Sequence, residues 1–142
     1  MNIVLVNLPV HIPTVMPYSL TMMAAVIKAS INENISALDL NAYYHKKTFL
    51  DFYDAKDKLF FKSLTKFEAA SRTHYQKISK AAREGGNQKE HELLMTKLLA
   101  ANPDVVCFSF TYNSQIYFAQ GIIDALIKKK VKVIVGGPAD YS

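Results

Sequence analysis

Three short segments of this 142-residue sequence hold residue types able to contact a ligand or do chemistry. The first is Asn7-Leu8-Pro9-Val10-His11-Ile12-Pro13. His11 supplies the acid-base or ligating group there, because imidazole titrates near neutral pH. Pro9 and Pro13 stiffen the segment and remove amide donors, so it offers no row of N–H groups to cradle a phosphate. An exposed loop histidine with no role is the competing reading of His11. The second segment is Ser109-Phe110-Thr111-Tyr112-Asn113-Ser114. Its hydroxyls and amide precede a helical pattern, a setting that suits a polar or anionic ligand group. The same residues also serve as ordinary caps and turn formers. The third is Gly136-Gly137-Pro138, where missing Cβ atoms allow a flat group to approach the backbone. A tight strand exit is the alternative there. The candidate contact residues are therefore Pro9, Val10, His11, Ser109, Thr111, Tyr112, Gly136, Gly137 and Pro138.

The elements that must position these segments are legible as periodicity. Ile3–Val6, Ile35–Leu38, Val105–Phe108 and Val131–Val135 are short apolar runs set between helical patterns, which predicts parallel strands covered on both faces. A helix is expected over Ser19–Ser30, with Leu20, Met23, Ala24, Ile27 and Ile31 on one face. Another is expected over Gln115–Lys129, with Ala119, Ile122, Ile123 and Leu126 inward and Asn113 or Ser114 as cap. Residues 41–103 are far longer than a simple connection and rich in aromatics from Tyr43 to Tyr75. Lys46-Lys47 are expected to open a polar helix in this insertion, Gly85-Gly86-Asn87 to break it, and Lys89–Ala101 to carry Leu94 and Leu98 inward.

This alternation predicts one α/β domain over residues 1–142, with a doubly wound parallel sheet of order 2-1-3-4 and a helical insertion. Ligands of such sheets bind beyond the carboxyl ends of the strands, where the strand order switches, and all three segments converge there. A fifth strand is expected to be missing, which makes the sequence read as the N-terminal part of a longer chain. The fourth strand would then keep an open edge through which copies of the chain associate.

Several common sites are absent. No G-x-G-x-x-G follows the first strand, so Asp39 lacks a dinucleotide-binding partner motif, and there is no Walker A. Asn7 and Ser109-Phe110 stand where a phosphoacceptor receiver would have acidic residues. Cys107 is the single cysteine, which rules out an internal disulfide and Cys-rich zinc spacing; it is expected to be a buried thiol. The net charge of +5 is spread over the chain, as expected for solvated helix faces rather than a nucleic-acid surface. Met1 leads straight into a strand pattern without a signal peptide, and no apolar run approaches the ~20 residues that span a bilayer. The expected location is the cytoplasm, with no membrane partner.

Asn7-Leu8-Pro9, Pro17-Tyr18-Ser19-Leu20, Ala37-Leu38-Asp39-Leu40-Asn41, Asn102 to Ser109 and Val133-Ile134-Val135-Gly136-Gly137-Pro138 occur in an order with a family likeness. The set resembles the flavodoxin-like, cobalamin-binding N-terminal domain of cobalamin-dependent radical S-adenosylmethionine enzymes. The likeness covers about residues 1–40 and 102–140, and the insertion matches nothing in that family. It implies a cobalamin at the carboxyl edge of the sheet, with Ser109 and Gly136-Gly137 beside its nucleotide tail. It further implies a downstream barrel holding S-adenosylmethionine and an iron–sulfur cluster on Cys-x3-Cys-x2-Cys. This chain lacks that motif, so methyl transfer or related radical chemistry is not expected of it alone. The Asp-x-His-x-x-Gly that ligates cobalt in related mutases and methionine synthases is also missing around His11, which has Pro9 before it and Thr14 after it. A degenerate module that serves docking or substrate gating in the same enzyme class is the alternative.

Overall fold

The computed structural model describes residues 1–9, 17–48, 73, 76–77, 80–81, 84 and 88–138. Val10, His11, the aromatic residues from Phe49 to Tyr75 and Gly85-Gly86-Asn87 lie outside the described residues. Within them the order is β1 (Asn2–Asn7), α1 (Tyr18–Ser30), β2 (Asn34–Asp39), α2 (Leu40–Thr48), α3 (Gln88–Leu99), β3 (Val105–Ser109), α4 (Asn113–Lys128) and β4 (Lys132–Gly136). The four strands form one parallel sheet in the order β2-β1-β3-β4, a flavodoxin-like α/β architecture.

Side chains alternate across a strand, so register assigns the faces. Val4, Val6, Val106 and Phe108 point to one face, where they join Leu40 and Tyr44 of α2, Leu94 and Leu98 of α3, and Phe118, Ile122 and Leu126 of α4. All of these are 2% exposed or less. Burying each such side chain contributes about 1.5–3 kcal/mol, so this face carries most of the stability. Ile3, Leu5, Val105, Cys107 and Ile134 point the other way. There, among the described residues, α1 packs on β2 and β1.

Several expectations need correcting. In α1 the predicted stripe is half covered: Leu20 is buried and Ala24 and Ile27 partly so, but Met23 and Ile31 are 38% and 41% exposed. Cys107 is half-buried rather than sealed. Helical periodicity groups residues on one face but does not fix how much of that face a neighbour covers. Lys46-Lys47 close α2 instead of opening a helix, where cations complement the helix dipole. The fourth strand begins one residue later than expected, because the Val131 amide bonds to the Leu126 carbonyl at 3.1 Å and Lys130 turns the chain at φ 62.

The amino ends of the strands are tied by polar side chains. Asn2 donates from Nδ2 to the Ala101 and Asn102 carbonyls at 2.6 and 2.8 Å, and its backbone amide donates to Asp104 Oδ2 at 2.6 Å. Asn34 Nδ2 donates to Asn2 Oδ1 at 3.0 Å.

Candidate functional site

The carboxyl rim has a β1–β3 part and a β3–β4 part. Gln115, in the first turn of α4 and 1% exposed, organises the first. Its Nε2 donates to the Leu8 carbonyl at 2.8 Å and to Asn7 Oδ1 at 3.3 Å. Its Oε1 accepts from the Thr111 and Tyr112 amides at 2.8 and 3.1 Å. Asn7 Nδ2 in turn donates to Asp39 Oδ1 at 3.0 Å, and the same oxygen accepts from the Ala42 amide at 3.0 Å. One relay therefore joins the β3 exit, the β1 end, the β2 end and the start of α2. Among the described residues no buried side-chain polar atom lacks a partner, as folding demands.

Gln115 was not among the sequence-predicted contacts. The signal for it is its place three residues after Tyr112, where a Gln side chain reaches back to the amide of the capping residue. Tyr112, not Asn113 or Ser114, stands at the N-cap position.

The β3–β4 part is held by backbone. Ser109 pairs with Gly136, and the Phe110 amide donates to the Gly136 carbonyl at 2.8 Å. The two glycines then separate in role. Gly137 has φ +119, and a Cβ there would sit 2.1 Å from the Phe110 carbonyl oxygen. Its lack of a side chain is required by the β3–β4 packing itself, whether or not a ligand binds. A Cβ on Gly136 would meet nothing within 4 Å. Gly136 thus opens on free space.

Around it, Ser109 is half-buried, Thr111 and Pro138 are exposed, and Tyr112 is 53% exposed. Pro9 is buried at the end of β1. The sheet therefore brings Ser109, Thr111, Tyr112, Gly136, Gly137 and Pro138 to one rim, while Val10 and His11 lie outside the described residues. The groups present on that rim are hydroxyls, a phenol and bare backbone. Among the described residues there is no cluster of three His, Cys, Asp or Glu side chains able to hold a metal ion. None of their helices is long and apolar enough to cross a membrane.

Burial pushes the thiol of Cys107, one strand turn below Ser109 on the α1 face, above its ordinary value. It is thus held as the neutral thiol, a weak nucleophile. No family model, no curated protein and no solved structure matches the chain.

Proposed function

We propose that the chain is the cobalamin-binding module of a radical S-adenosylmethionine enzyme, inactive alone and completed by a downstream barrel that holds S-adenosylmethionine and an iron–sulfur cluster. The observation that carries this reading is Gly136, an exposed position at the carboxyl end of β4 where a Cβ would meet nothing within 4 Å, paired in register with Ser109 at the end of β3. A corrinoid is a broad, amide-fringed macrocycle with a nucleotide tail, and this surface fits such a group. The flat portion needs backbone without side chains, and the amides need hydroxyl partners. Ser109 and Gly136 would take the tail, with Thr111, Tyr112 and Pro138 along the rim. When bound, the cobalt supplies methyl or carbon group transfer, and the protein supplies position.

The test is a titration of hydroxocobalamin followed by its visible spectrum. Weak, saturable binding is expected from the open rim. Gly136→Val should weaken it at least tenfold, since the branched side chain fills the free space. His11→Ala should leave the spectrum of the complex unchanged, because the Asp and Gly that would orient a ligating histidine are missing. Binding abolished by His11→Ala and untouched by Gly136→Val would overturn this placement.

The second reading is a docking or gating module that has lost the cofactor. It is favoured by the relay through Gln115 and Asn7, which fills the β1–β3 crevice with protein groups. It gains if no binding is detected even at high ligand concentration.

A further inference from the structure

The outer edge of β4 is self-complementary, and we propose that it pairs with the β4 edge of a second copy of this chain, antiparallel and centred on Ile134. Among the described residues no strand lies beyond β4. The Lys132 amide donates to the Asp104 carbonyl, and the Gly136 carbonyl accepts from the Phe110 amide. In a parallel ladder the residues facing one neighbour alternate. Lys132, Ile134 and Gly136 therefore spend their backbone groups on β3, and Val133 and Val135 turn theirs outward.

A two-fold through Ile134 sets Val133 opposite Val135 of the second copy, twice, with each pair exchanging two backbone hydrogen bonds. The neighbouring registers are poorer. Centring on Val133 asks for Val131, whose amide is already bonded to Leu126. Centring on Val135 asks for Gly137, which leaves the strand at φ +119.

Side chains and charges agree with the same register. Ile134, 58% exposed, meets Ile134 of the second copy on one face, and Val135, 42% exposed, meets Val133 of the second copy on the other. Lys132 falls opposite Gly136 of the second copy, so the two lysines stand four residues apart. At ~3.4 Å per residue that is beyond the ~8 Å screening length in physiological salt. The edge carries no proline, one of the devices that block such pairing. The β2 edge, with Asn34, Ser36 and Asp39, is more polar. The pairing also brings a lysine of the second copy alongside Gly136, so each rim gains a cation from its neighbour. This inference stands apart from cobalamin binding and does not need it.

Sedimentation velocity on the full chain across a wide concentration range tests it. The mass should rise from monomer to dimer. Val135→Pro removes an outward amide that β3 does not use, and Ile134→Lys sets like charges together at the two-fold. Each should hold the chain monomeric with an unchanged circular dichroism spectrum. Ile134→Lys mixed with Ile134→Glu should restore the dimer. In a Cys107→Ser background, Ile134→Cys should form a disulfide-linked dimer on mild oxidation, and Lys132→Cys should not. A parent that stays monomeric overturns the proposal. So does a dimer that survives Ile134→Lys, a charge-swapped mixture that stays monomeric, or crosslinking through Lys132→Cys in place of Ile134→Cys. Should Val135→Pro fail to fold, the Ile134 variants carry the test alone.

Discussion

The two parts of the carboxyl rim are joined by different means. Between β1 and β3 the strand ends are linked by carboxamides: Gln115 binds Leu8 and Asn7 on one side and the Thr111 and Tyr112 amides on the other. Between β3 and β4 the backbones touch directly, with Gly137 packed on Phe110 and Gly136 left facing open space. The first part is filled by the protein's own polar groups and is closed. Among the described residues, the second leaves the Cβ position of Gly136 unobstructed. Ligands of such sheets bind at this edge, and the proposed cofactor site lies on the second part.

The sharpest way to break the comparison is at the glycines, which look alike in sequence. Gly137→Ala should destabilise the chain by about 3 kcal/mol or more, because its Cβ meets the Phe110 backbone at a φ that side chains avoid. Gly136→Ala should cost no more than about 0.5 kcal/mol, as an unobstructed surface change. Urea unfolding of the pair measures both, and equal costs would erase the distinction between them.

Next in size is the closed part. Gln115→Ala would strip partners from the Leu8 carbonyl, Asn7 and the Thr111 and Tyr112 amides together. A loss of about 2–3 kcal/mol is expected in the same unfolding experiment, at about 1–3 kcal/mol for a buried polar group left unpaired. A neutral result would mean that water replaces the carboxamide and that this part is as open as the other.

The packed face beneath the closed part should also respond to alkali. Burial raises Tyr44 from 10.0 to about 12, against a smaller opposing effect from its hydrogen bond with Thr48. A raised acid stays neutral in the folded chain while the unfolded chain ionises first. Stability is therefore intact below pH 10 and falls as pH climbs from 10 towards about 12. The slope is about 1.4 kcal/mol per pH unit, or about 2–3 kcal/mol in all. Comparing the parent with Tyr44→Phe isolates this contribution, and the two should diverge only in that window.

The smallest effect lies on the α1 face. Cys107 is half-buried and its thiol is pushed up by desolvation. It should react with iodoacetamide in the native state, but several-fold more slowly than a free thiol at the same pH. Reaction only after unfolding would mean that this face is as sealed as the other.

Much of this was legible in the sequence and some was not, for physical reasons. The apolar runs at Ile3–Val6 and Val105–Phe108 mark the two central strands, and the strand order follows from the crossover rule, but β2 and β4, expected to be covered on both faces, are edge strands with many exposed residues. Periodicity reports which residues share a helix face but not whether a neighbour covers it, so Met23 and Ile31 of α1 were expected inside and lie outside. The glycine pair was legible as a special place, but telling Gly137 from Gly136 needs the backbone of Phe110, which lies far away in sequence. Gln115 looks like any surface glutamine at a helix start until the chain brings Leu8 to it, 107 residues away.

The proposed ligand face at β3–β4 is tested most directly by backbone amide chemical shifts on adding hydroxocobalamin. The prediction is that Ser109, Thr111, Tyr112 and Gly136 shift together, while Asn34 to Ala37 on the β2 edge stay still. Shifts confined to the β2 edge or to α1, with Gly136 unmoved at saturation, would contradict it.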